Sequence, residues 1–174
     1  MDYNGIVNCW WNMSANEDRE KVKDQIEKWL LDEGFKVESV TNKNAYFNFF
    51  AEDPYGRKVS VSQPIKKADQ IRLVAGVRLS QEQLNKLSQM SKDRRNEILW
   101  KLRFGLLDRG VGFSLIAMPL RGIKISTVVF FDGLTKDHFF NKLFEVSSAL
   151  VFIFWTIARE LGEREPVTEF KHIV

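Results

Sequence analysis

Few residues in this chain carry the chemistry of catalysis. Among its 174 residues are one cysteine, Cys9, and two histidines, His138 and His172. A nucleophile needs a base and an orienting group beside it. Cys9 lies in an N-terminal stretch with no periodic pattern and reads as an inert thiol. His138 falls in the first turn of a helix, where a capping or solvated role fits better than general-base work. His172 lies in the C-terminal tail. Asp53, Asp132 and Asp137 occupy turn and helix-start positions, where a carboxylate satisfies backbone amides rather than pairing across a cleft. One cysteine and two histidines cannot assemble a four-ligand Cys/His zinc site from one chain. Gly110-Val111-Gly112 lacks the further glycine and the following helix of a dinucleotide loop. The expectation is no catalytic residue, no cofactor and no metal, in a protein that is not an enzyme.

The bases are more informative. Between positions 57 and 78 stand six of them (Arg57, Lys58, Lys66, Lys67, Arg72, Arg78) against one acid, Asp69. Residues 70–79 alternate cleanly, with Ile71, Leu73, Ala75, Val77 and Leu79 in one phase and Gln70, Arg72, Val74, Gly76 and Arg78 in the other. That period of two is a half-buried strand. It places Lys58, Arg72 and Arg78 together on the polar face of a sheet as candidate partner-binding residues, for an acidic peptide or for nucleic acid. The plainer alternative is a solvated face whose bases discourage edge-to-edge pairing. An RNA-binding sheet would also want exposed aromatics; Tyr46 to Phe50 could supply one or two, although a core role fits them better. The net charge of +3 is too small by itself to imply nucleic acid.

These residues must be positioned by a scaffold, and its densest apolar run is Ala149 to Trp155. It lies in a predicted helix over 135–161, with Thr135 as N-cap, Asp137 in the first turn, Arg159 near the end and Gly162 as the stop. Phe139, Leu143, Val146, Leu150, Ile153, Ile157 and Leu161 form one stripe. Phe140, Phe144, Val151, Phe154 and Trp155 belong to a second, the candidate interface of a homodimer. A helix this apolar is long enough to span a membrane. Lys142 and Glu145 within the window argue instead for a core helix, and no membrane contact is expected.

The rest of the chain supplies the sheet and the covering helices. A helix is predicted over 16–33, opened by the capping box Ser14-Ala15-Asn16-Glu17 and closed at Gly34. Strands follow over 35–40, 45–51, 57–63 and 70–79, with Asp53-Pro54-Tyr55-Gly56 as a turn. Short links make them an antiparallel meander. Ser80-Gln81-Glu82-Gln83 opens a helix over 81–89, and a polar stretch separates it from the main one over 92–108. A hairpin is expected over 111–119 and 123–131, linked tightly through Leu120-Arg121-Gly122. The class is α+β, an antiparallel sheet of meander plus hairpin packed with three main helices in the order α-ββββ-α-ββ-α. Residues 14–162 read as a single domain and 163–174 as a tail. Residues 1–13, with Trp10 and Trp11, read as an N-terminal extension, of which 1–12 either lie upstream of a native start at Met13 or form a native arm.

Hydrophobic content of 44% and charged content of 28% are ordinary for a soluble domain. The lone cysteine fits a reducing cytosol, and Met1-Asp2-Tyr3 lacks the basic start of a signal peptide, so the expected location is cytoplasmic.

The element order over 14–162 resembles the fold of the type III secretion chaperones and related small α+β proteins, with one strand more ahead of the second helix. That resemblance implies a dimer holding extended segments of client proteins. More locally, Ile26-Glu27-Lys28-Trp29-Leu30-Leu31-Asp32-Glu33-Gly34-Phe35 and Leu102-Arg103-Phe104-Gly105-Leu106-Leu107 look like segments of an archaeal family of uncharacterised proteins, which implies a fold and no activity. The expected function is a non-enzymatic protein- or peptide-binding module, a chaperone-like homodimer. Its alternative is a nucleic-acid binder using the basic sheet face.

Overall fold

The alternation over 70–79 becomes the strand around which the molecule is built. A computed structural model of the chain describes residues 19–163. Helix α1 runs from the first described residue to 32. Strands β1 (Lys36–Ser39), β2 (Ala45–Glu52), β3 (Lys58–Pro64) and β4 (Gln70–Arg78) follow. Then come helices α2 (Gln81–Gln89) and α3 (Lys92–Asp108), strands β5 (Gly112–Ser114) and β6 (Gly122–Phe130), and helix α4 (Lys136–Glu160). The six strands form one antiparallel sheet in the order β1-β2-β3-β4-β6-β5. The class is α+β, as the element order implied.

Caps set the boundaries. Gly34 takes φ +79, and the amides of Phe35 and Gly34 donate to Leu30 and Leu31 carbonyls at 3.0 Å each, closing α1. The Ser80 hydroxyl accepts from the Gln83 amide at 3.2 Å while the Gln83 side chain accepts from the Ser80 amide at 3.0 Å. Ser91 caps again at α3, accepting from the Arg94 amide at 3.2 Å. Met90 and Ser91 take extended backbone and cut the helical stretch in two, so the described residues hold four helices: the three main ones of the element order and the short α2 read over 81–89. Thr135 caps α4 by accepting from the His138 amide at 3.1 Å.

The sheet has one covered face and one open face among the described residues. Phe49, Val61, Leu73 and Ile125 point to the covered side and are buried against Leu143, Val146, Leu150 and Ile153 of α4. Each such aliphatic side chain contributes roughly 1.5–3 kcal/mol by leaving water. α1 packs beside them through Ile26 and Leu30, with the Trp29 ring 6.1 Å from that of Phe139. α4 is the described helix long and apolar enough to cross a membrane, and it lies here across β4 and β6.

α3 runs antiparallel along α4. Near the start of α3, Arg94 and Lys101 both meet Glu160, with Lys101 Nζ 2.7 Å from Oε1. Towards its end, the Arg109 guanidinium lies 4.0 Å over the Phe152 ring. Between these contacts a Cβ on Gly105 would stand 2.0 Å from that ring, so the far end of the aromatic packs against α3 where glycine leaves it room. Burial of the Glu160 carboxylate works against its ionisation. The hydrogen bond from Lys101 and the charges of Lys101, Arg94 and Arg159 outweigh that and hold its pKa below the usual glutamate range.

The β5–β6 hairpin departs from expectation. β5 is three residues long, and the chain leaves the sheet after Ser114 for a loop over 115–121 instead of a tight link. Leu115 sits at φ +70, a conformation that leucine does not advertise. Ile116 and Leu120 then bury themselves and anchor the loop.

Candidate functional site

Three surfaces combine shape with chemistry. The first is a groove of about 880 Å³ between α2, the start of α3 and the 115–121 loop. Leu84, Leu87, Met118, Pro119 and Leu120 give it apolar walls, and Lys92, Arg95 and Arg121 are its charged lining residues, with no acid among them. Arg95 spends one donor on the Ser88 carbonyl at 3.1 Å. The sequence reading missed this groove. Its signal was the apolar run Ile116 to Leu120 inside a loop, where polar residues are the rule.

The second surface is the solvent side of the α3–α4 pair. Trp100, Phe104 and Leu107 on α3 are 52%, 63% and 61% exposed, and Phe144 and Trp155 on α4 are 56% and 64% exposed. Trp100 and Phe104 stack at 5.5 Å, and Arg103 lies 5.0 Å over the Trp100 ring. Of the five residues read as the second stripe of α4, Phe144 and Trp155 are exposed and Val151 is half-buried. Phe154 packs partly against the core. Phe140 is a correction: it is 8% exposed, held among Phe35, Phe139 and Phe144 at 5.4–6.0 Å. The α1–β1 corner covers it, which no periodicity on α4 could announce.

The third surface is the open face of the sheet. Register places Asn48 beside Ser62 and Ser62 beside Arg72; Phe50 stands beside Ser60 and Ser60 beside Val74. Lys124 on β6 stands opposite Gly76. These residues, with Asn42 and Lys58, line a cavity of about 150 Å³. Lys58 is held by Glu52 at 3.0 Å. Lys58 and Arg72 are therefore brought together, whereas Arg78, exposed at the end of β4, is not among the lining residues. Lys124 joins them instead. Its signal was present, because it alternates with the buried Ile123 and Ile125.

Of the residues weighed for catalysis, Asp53, His138 and Asp137 have structural partners, and Asp132 is exposed in the turn before α4. Asp53 Oδ1 accepts from the amides of Tyr55 and Arg57 at 2.9 Å each, and Arg57 Nε donates to Oδ2. His138 Nδ1 lies 3.0 Å from the Gly133 carbonyl. Asp137 accepts from Asn141 at 3.0 Å. Cys9, Trp10, Trp11 and His172 lie outside the described residues. Among the described residues no three His, Cys, Asp or Glu side chains group to hold a metal.

The model of an uncharacterized conserved protein family, DUF2299, matches residues 22–157. The chain belongs to this family. A crystal structure of an uncharacterized protein from Methanothermobacter thermautotrophicus is 31% identical and superposes with a TM-score of 0.75, covering 80% of this chain and 99% of that one. No curated protein matches the chain. The family segment contains every residue that lines the groove and the sheet-face cavity, and every exposed aromatic of the α3–α4 face. Glu160 and Glu163 lie beyond it, although Glu160 clamps α3 to α4 and Glu163 meets Lys86 of α2 at 3.6 Å.

Proposed function

We propose that this protein is a cytoplasmic, non-enzymatic binding module that grips an apolar segment of a partner protein, flanked by acids, in the groove beside α2 and α3. The groove itself carries the reading. Its volume suits a few side chains, its walls are apolar, and its charged lining residues are all bases. An apolar anchor bounded by Asp or Glu is the complementary segment, in the manner of a helix or extended peptide laid into a groove. The resemblance of the element order to the type III secretion chaperones supports a protein that holds client segments.

The same reading makes the protein a homodimer through the α3–α4 face. Five large apolar side chains at half exposure or more present on the order of 500 Å² of apolar surface. Summed over the two helices, that is a large share of the roughly 800 Å² per partner in a standard interface. A second copy is the occupant, since a two-fold axis lets one aromatic patch meet itself.

Two measurements test this. Peptides selected from a random display library should carry an apolar residue beside acids, and Arg121→Glu should abolish their capture; selection of basic or uncharged peptides would sink the groove reading. Light scattering should give a dimer for the wild type and a folded monomer for Trp155→Asp with Phe104→Asp. A monomeric wild type would remove the dimer.

The alternative is a nucleic-acid binder using Lys58 and Arg72 on the open sheet face, with Arg78 beyond them. A basic face favours it. Against it, Tyr46, the exposed aromatic of β2, lies under Arg19, whose guanidinium is 3.9 Å from the ring, so it offers no free stacking platform. Retention on a polyanion column that falls steeply with salt would favour this alternative.

A further inference from the structure

We infer that the cavity on the open sheet face is a binding site for a phosphate group, carried by a small phosphorylated molecule or free in solution. The inference is independent of the groove and of the dimer. It rests on what the lining groups have left to offer. Arg72 and Lys124 have no ion-pair partner among the described residues, whereas Lys58 is paired with Glu52, which does not line the cavity. Asn48 spends its side-chain carbonyl on the Ser60 hydroxyl at 2.7 Å, and Asn42 spends its own on the Asn44 amide at 3.0 Å. Each asparagine therefore retains an amide donor. The Ser62 hydroxyl makes no hydrogen bond among the described residues, in a residue that is 9% exposed. What remains is two unpaired cations, a third already paired, two amide donors and a hydroxyl, with no carboxylate lining the space. A ligand of acceptors only, with more than one negative charge, is the complement.

Shape narrows the class. The cavity of about 150 Å³ has the volume of about five waters at ~30 Å³ each, enough for one phosphate and its remaining hydration. The Arg72 row lies four residues along the strand from the row of Lys58 and Lys124, roughly 13 Å. Two long cationic side chains therefore reach in from opposite ends, and Ser60 and Val74 form the floor between them. That arrangement suits a tetrahedral oxyanion approached from several sides better than a planar carboxylate met by one fork.

The test uses the full chain, with amide shifts followed by heteronuclear NMR. Sodium phosphate is titrated against sodium chloride at equal ionic strength, with adenosine monophosphate and a 20-mer of deoxythymidine in parallel arms. Saturable shifts confined to Ser60, Ser62, Arg72 and Lys124 are expected. Arg72→Gln should weaken phosphate binding by roughly tenfold or more, and Lys124→Gln should weaken it by several-fold, the sizes expected for losing a charge-assisted hydrogen bond. Lys66→Gln removes a positive charge from the exposed turn between β3 and β4, outside the cavity, and should leave binding unchanged. Tighter binding of adenosine monophosphate than of phosphate marks a phosphorylated small molecule, and equal binding marks free phosphate; both support the site. Non-saturating shifts shared with Lys92, Arg95 and Arg121 would overturn it. So would binding of the 20-mer alone, or a Lys66→Gln effect as large as that of Arg72→Gln. Arg72 is exposed, so its glutamine variant should fold, and a thermal melt matching wild type checks this.

Discussion

Leu73 and Arg72 are neighbours on β4 and belong to different environments. Leu73 is fully buried under α4, while Arg72 rises from the open face beside Ser62. The covered face is cohesive because apolar area leaving water needs only proximity. The open face is not a solvated plane: Asn48 and Ser62 are 7% and 9% exposed there, beside a cavity that they help to line. Buried polar groups need partners. One face of the central strands therefore carries stability, and the other carries polar groups whose hydrogen bonds are only partly spent.

Substitutions that hit one face at a time test that contrast. The largest effect is expected from Leu73→Ala, which leaves a cavity beneath α4 and should cost about 2–5 kcal/mol in denaturant unfolding. A loss below about 1 kcal/mol would mean that the helical layer does not depend on this contact.

The clamp that holds α3 to α4 should come next. Glu160→Gln removes a carboxylate shared by Arg94 and Lys101, at a cost of about 1–2 kcal/mol at pH 7, less than for a fully buried pair because both bases are about half exposed. The folded-state pKa of Glu160 is depressed, so its contribution is complete above its ordinary value of 4.5 and is lost as pH falls through the lower folded value. The gap between wild type and Glu160→Gln should close in that acid window, and a gap that persists at pH 2 would assign the effect to packing.

Gly105→Ala should cost about 1 kcal/mol. The helix-propensity gain of alanine, about 1 kcal/mol, is outweighed by displacement of the Phe152 ring, which also loses its contact with Arg109. A stabilised variant would show that Phe152 swings aside freely. The smallest effect belongs to the open face: Arg72→Ala should change stability by less than about 0.5 kcal/mol. A loss like that of Leu73→Ala would erase the distinction between the faces.

Much of the scaffold was legible in the chain because its signals are local. Ser80 with Gln83 marked the start of α2 through hydrogen bonds made within four residues, and the polar stretch after it marked the break before α3, where Ser91 is the cap. The period of two in β4 named its buried side. The hairpin was misjudged because Leu115 takes a positive φ that its type disfavours, and burial of Ile116 and Leu120 holds it there. The groove was missed because α2 and the 115–121 loop are brought together only by the pairing of β4 with β6.

The sequence by itself determined where elements begin and end and which side of each strand is apolar, since caps and alternation act over a few residues. It also carried the apolar stripes of α4. Tertiary structure decided which stripe is covered: Phe140 lies beneath Phe35, while Phe144, one turn on, stays exposed. It likewise decided that Lys124, and not Arg78, joins Arg72 around one cavity. Coverage and convergence depend on strand order and helix placement, which are set by the sum of many weak long-range contacts.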